Sequence, residues 1–302
     1  NIADGVAHPL RVRIDTVLNT VTDTIILYSI ANLIRFYYNI IKGFMIKSGQ
    51  LEQCLQEVQR ISEQFYLNSL TSNVRDILNQ QQDLRQSDML LPPPAVKRLL
   101  NMLKELLSVA NMVEGRQQDI TKIVGAVIDP LLLTVTEQST HLPAIDMAVY
   151  FLNVLYEIIS TLGVYEFIDE RMERLNAQAD AQIETLTSEQ ASSIVANLNL
   201  GPIYTVLQSP AMDGSDKLDI HHLKMCMKKL DSFIECPEML ILPQVNLLQS
   251  TNHAAIVQKR AFSVIAAIYK QLYEKIHSGD YQNPQQLLSK TPEEVQALLI
   301  GK

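Results

Sequence analysis

No proline occurs between Pro9 and Pro92, and this stretch limits what the chain can fold into more than any other feature. Because proline ends or kinks helices, its absence over so many residues favours long helices. We expect one break at residues 47–50, where Gly49 suits the position after a helix end. Apolar residues recur with helical spacing in most of the remaining chain as well. The sequence therefore predicts an all-α protein.

The most apolar segment runs from Ile25 to Ile46 and is about as long as a helix that spans a bilayer. Five polar residues recur along it with helical spacing and form one polar stripe: Ser29, Asn32, Arg35, Asn39 and Lys42. A lipid-spanning helix does not carry such a stripe without partners. We therefore predict a helix buried in a bundle, with a core made of Ile26, Leu33, Ile34, Tyr37 and Ile41. The alternative is a helix that lies in a membrane interface.

Local signals mark several helix boundaries. Three consecutive prolines at 92–94 end one element, and Pro94 fits the first turn of the next helix. The segment 120–135 is rich in β-branched residues, but no strand partner follows it, so we interpret it as a helix kinked at Pro130. In the last helix, Thr291 and Glu294 form a capping box.

The domain organisation is predicted from one composition shift. Proline, glycine, serine and aspartate cluster between Gln208 and Asp219, which is typical of a linker. We predict helical bundle units over residues 1–208, subdivided near 90–94, a linker at 209–217, and a C-terminal helical bundle over 218–302.

The net charge argues against nucleic acid as a partner, and the cysteine content indicates the cellular compartment. The net charge is −8, and the basic residues are dispersed, so we expect no binding to nucleic acid. The three cysteines are few and widely spaced, which favours a reducing compartment over a disulfide-stabilised secreted protein. The chain begins without a methionine, and we interpret it as part of a longer protein.

No sequence motif supports catalysis. The chain has neither a glycine-rich phosphate loop nor a G-x-S-x-G nucleophile motif. His222 and Cys226 lie four residues apart on one helical face, with His221 and Cys236 nearby, and a zinc enzyme is the alternative that they raise. Apolar residues surround this group, so we predict a core cysteine beside a surface histidine. We expect no catalytic residues, no metal and no cofactor.

The final helix is the only candidate for a partner-binding site that the sequence alone suggests. Its apolar residues are numerous for a terminal element: Leu287, Leu288, Val295, Leu298 and Leu299. They predict a partner surface if they remain exposed. The alternative is that they dock onto the preceding bundle, as terminal helices commonly do.

Several stretches in order along the chain resemble one protein family. They are 9–41, 90–95, 127–132, 189–192 with the preceding YEFIDERMERL, 240–248 and 284–299. These stretches resemble the sixth subunit of the conserved oligomeric Golgi tethering complex, and none of them is a catalytic motif.

The resemblance implies both an architecture and a function. It implies an elongated rod of consecutive antiparallel helical bundles, the C-terminal portion of a subunit that also has an N-terminal coiled coil. It further implies a non-catalytic role in retrograde intra-Golgi vesicle tethering, at the cytosolic face of the Golgi and with indirect membrane association. The implied partners are the sister subunits, SNAREs, Rab GTPases and coat proteins. A peripheral membrane protein that uses helix 25–46 is the alternative.

Overall fold

The fold is described from a computed structural model, which covers residues 2–44, 50–80, 90–112, 116–208, 219–278 and 287–301. Within these ranges the chain forms α-helices and no strands, which confirms the predicted all-α class. The helices are α1 (Ile2–Thr20), α2 (Thr24–Phe44), α3 (Gln50–Asn79), α4 (Pro94–Ala110), α5 (Arg116–Ser139), α6 (Ala144–Leu162), α7 (Asp169–Asn197), α8 (Gly201–Gln208), α9 (Ile220–Glu235), α10 (Thr251–Ser278) and α11 (Pro292–Ile300). Two 3₁₀ turns, Pro237–Leu240 and Val245–Leu247, connect α9 to α10.

The chain divides into two compact units. The N-terminal unit contains Asn1–Gln86, Pro92–Thr140 and Ile158–Glu173, and the C-terminal unit contains Ser87–Leu91, His141–Glu157 and Arg174–Lys302. This division differs from the predicted one, because the second half of α7 and α8 share a core with α9 and α10. The predicted linker at 209–217 and the predicted break at Gly49 lie outside the described residues.

The core of the N-terminal unit is built mainly from α4 and α5. Helix α4 begins at Pro94 after the extended residue Pro93, as the sequence predicts, and its apolar face is fully buried. Pro130 lies inside α5, so the β-branched segment is helical, and Val127, Ile128 and Leu131 have no exposed surface. At about 25 cal/mol per Å² of apolar surface, each such side chain stabilises the fold by about 2 kcal/mol.

Helix α2 buries a different face from the predicted one. Its buried apolar residues are Leu27, Tyr28 and Ala31. The residues predicted to form its core divide into two groups: Ile34 and Ile41 are half-buried, whereas Ile26, Leu33 and Tyr37 are 50%, 54% and 53% exposed. The prediction was wrong for these last three, because apolar residues lie on both flanks of the polar stripe and do not indicate which flank packs.

Two buried polar side chains hold loop segments in the C-terminal unit. Asn153 donates to the carbonyls of Leu90 and Leu247, and it accepts from the backbone N–H of Gln249. Gln190 donates to the carbonyl of Leu240 and accepts from the N–H of Leu242, both at 2.8 Å. These bonds satisfy backbone groups in a region without regular ladders.

The final helix packs into the core of the C-terminal unit. Leu287, Leu288, Val295 and Leu299 are buried in one apolar cluster with residues of α7 to α10, and only Leu298 is exposed, at 38%. The prediction of a partner surface on this helix is therefore wrong for the four buried residues. They contribute to the stability of the unit instead, because α11 docks on α10 and α9.

The capping box of α11 yields a stability prediction. The Thr291 hydroxyl accepts from the N–H of Glu294, and the Glu294 carboxylate accepts from the N–H of Thr291, as the sequence predicts. We expect Thr291→Ala to lower the free energy of unfolding by about 1 kcal/mol, measured by urea denaturation. Thr185→Ala is the matched control, because the Thr185 hydroxyl lies exposed inside α7 and caps nothing. Equal losses in both variants would contradict the capping role.

Candidate interaction surface on helix α2

Helix α2 exposes a mainly apolar face, on which Ser29 is an exposed polar residue. Five large side chains on it are each 40–54% exposed: Ile26, Leu33, Phe36, Tyr37 and Ile40. Helical geometry places them within about 100° of arc on one side of the helix. We call this set the α2 stripe. A contiguous exposed apolar surface of this kind is typical of a site that binds another molecule, whereas single exposed apolar residues are common on any protein.

A hollow of about 750 Å³ lies beside the stripe. Its described lining residues are seven of α2, one of α4 and one just after α4: Ser29, Asn32, Leu33, Arg35, Phe36, Asn39, Ile40, Val109 and Met112. We call this hollow the α2 groove. Among its described lining residues only Arg35 is charged, and Met112 is 88% exposed. The groove therefore combines an apolar floor with neutral hydroxyl and amide groups.

A second, smaller hollow of about 270 Å³ lies between α2, α3 and α5, and we call it the polar cavity. Asn32 and Arg35 line both hollows, so the groove and the cavity adjoin. The Arg35 guanidinium donates to both carboxylate oxygens of Asp119, at 3.0 Å and 2.5 Å, and also to the Asn32 side-chain oxygen at 2.8 Å. The Tyr28 hydroxyl donates to the same carboxylate at 3.1 Å.

Two tyrosines form the wall of the polar cavity, with ring centroids 4.8 Å apart. Burial raises the pKa of Tyr28 to about 12, the Asp119 carboxylate adds to this shift, and a hydrogen bond with Asn32 opposes it. Burial also raises the pKa of Tyr66, so both hydroxyls are neutral at physiological pH. Tyr66 is only 5% exposed, and its hydroxyl has no hydrogen-bond partner among the described residues.

The start of α2 fixes how the helix is oriented. Asp23 caps it by accepting from the N–H groups of Ile25 and Ile26. The Thr24 hydroxyl is bonded to Ser69 of α3 at 2.7 Å. These contacts and the packing of Tyr28 on Tyr66 turn the stripe away from α3. The exposed face is therefore the result of specific polar bonds.

The predicted metal-like group is a packing arrangement. The His222 ring nitrogen lies 3.1 Å from the carbonyl oxygen of Asn199, and the Cys226 thiol donates to the same oxygen at 3.3 Å. Cys226 has no exposed surface, which confirms the predicted core cysteine. Within the described ranges, no three histidine, cysteine or acidic side chains come together as a metal-binding group.

Among the helices that the structure describes, two are long and apolar enough to cross a membrane, judged by length and composition alone: Thr24–Gly43 and Ala144–Leu162. The second is mostly buried, as core helices of soluble proteins are. The first is α2, and little of its surface is buried because the stripe faces outward.

Only part of the α2 stripe and of the polar cavity could be predicted from the sequence. The sequence places Arg35 on a polar stripe, whereas in the structure it pairs with Asp119, 84 residues away. A basic residue in an apolar helix indicates that an acidic partner exists, but the sequence does not identify Asp119 as that partner. Tyr66 and the groove residues Val109 and Met112 gave no signal, because their role depends on how the helices pack.

Comparisons with known proteins agree on one family. The family described as Conserved Oligomeric Golgi complex subunit 6, C-terminal, matches residues 1–299. Proteins called conserved oligomeric Golgi complex subunit 6 are similar to the chain over 99% of its length, with 54% identity in Drosophila melanogaster, 31% in Homo sapiens and 26% in Dictyostelium discoideum. The matched region is 48%, 47% and 47% of those proteins, so the chain spans about half the length of the curated relatives it matches.

Proposed function

This chain belongs to the C-terminal family of conserved oligomeric Golgi complex subunit 6, and from that premise we propose that it is a non-catalytic part of a Golgi vesicle-tethering complex. In this role it presents helical surfaces to sister subunits, SNAREs and Rab GTPases during retrograde intra-Golgi transport. It reaches membranes at the cytosolic face of the Golgi through those partners. No cofactor, metal or nucleic acid takes part.

The observation that carries this proposal is the α2 stripe. A protein that works by binding other proteins needs an exposed surface rich in aliphatic and aromatic residues, and Leu33, Phe36 and Tyr37 provide one. The same helix is anchored through its other face, so the stripe is available without unfolding. Helix-in-groove docking is the binding mode that such a surface suits.

A pull-down tests the proposal. The tagged chain serves as bait in a Golgi-enriched extract, and sister subunits, SNAREs and Rabs are quantified by mass spectrometry. We expect Leu33→Ser combined with Phe36→Ser to reduce their recovery at least about tenfold, as loss of central interface residues does. Leu133→Ser is the matched control, because Leu133 is 61% exposed on α5 and lies outside the groove. Unchanged recovery with the double variant, or no Golgi protein above background with the wild type, would contradict the proposal.

A peripheral membrane protein is the second candidate, and the uncharged character of the stripe favours it. An apolar helix face that lies flat can insert into the interface of a bilayer. Flotation with neutral vesicles and with vesicles that contain phosphatidylserine tests this candidate. Vesicle binding that Leu33→Ser abolishes would support it, and a chain that remains in the soluble fraction would exclude it.

A further inference from the structure

We draw no further inference here: the strongest candidate, the apolar α2 stripe with the α2 groove beside it, carries none because nothing in the structure shows what covers it.

Discussion

Replacing Asn153 by alanine is expected to lower the free energy of unfolding of the C-terminal unit by about 3 kcal/mol, the largest effect of any single change considered for this chain. Asn153 is 1% exposed and satisfies three backbone groups at once. Alanine removes all three bonds and leaves the partly buried carbonyls of Leu90 and Leu247 and the N–H of Gln249 without this partner. The cost of these unsatisfied groups adds to the loss of the Asn153 side chain from the interior.

Hydrogen exchange followed by mass spectrometry measures this effect where it arises. We expect faster exchange in α6 and in residues 241–250 of the Asn153→Ala variant, together with a lower urea midpoint. Asn153→Asp keeps the acceptor for Gln249 and loses both donors, so it should destabilise the unit as well. Asn197→Ala is the control, because among the described residues the Asn197 side-chain amide bonds within its own exposed helix turn. A loss for Asn153→Ala no greater than that of the control would contradict the proposed role.

Replacing Asp119 by alanine is expected to lower the free energy of unfolding of the N-terminal unit by about 2 kcal/mol, because a partly buried cation loses its counter-ion. Only 22% of the Arg35 side chain and 13% of the Asp119 side chain are exposed. The variant also removes the acceptor of the Tyr28 hydroxyl. Urea denaturation measures the loss, and exchange rates in α2 and α5 locate it.

A second ion pair provides the control for this result. The pair between Arg11 and Glu57 has the same bidentate geometry, but both side chains are more than 40% exposed. We expect Glu57→Ala to cost at most about 0.5 kcal/mol, because water solvates the freed guanidinium. The double variant Arg35→Met with Asp119→Leu should recover most of the loss, because it leaves no unpaired charge. Similar losses for Asp119→Ala and Glu57→Ala would show that burial does not matter here.

Features set by neighbours in the sequence could be predicted from the sequence. The capping box at Thr291, the start of α4 after three prolines, and the helical state of the segment around Pro130 depend on residues within one or two turns. The all-α class follows from the same local periodicity. These local signals do not depend on which helices pack against each other.

Features set by distant residues could not be predicted in this way. The face that α2 buries is decided by bonds to Ser69 and Asp119, which lie 45 and 84 residues away from their partners. The apolar pattern of α2 permits either face: it predicts a core at Leu33 and Tyr37, whereas the structure buries Leu27 and Tyr28. Asn153 and Gln190 resemble ordinary helix residues, and only their loop partners identify them as buried.

The sequence separation between Asn153 and its partners also determines the order in which these residues are synthesised. Its partner in Leu90 precedes it by 63 residues, whereas its partners in Leu247 and Gln249 follow by 94 and 96 residues. At roughly 5–20 residues per second, a ribosome needs about 5–20 s to add those later residues. Until those residues are made, Leu90 is the one of these three partners that is available to Asn153. The polar anchor of the C-terminal unit is therefore complete only after residues 247–249 have been synthesised.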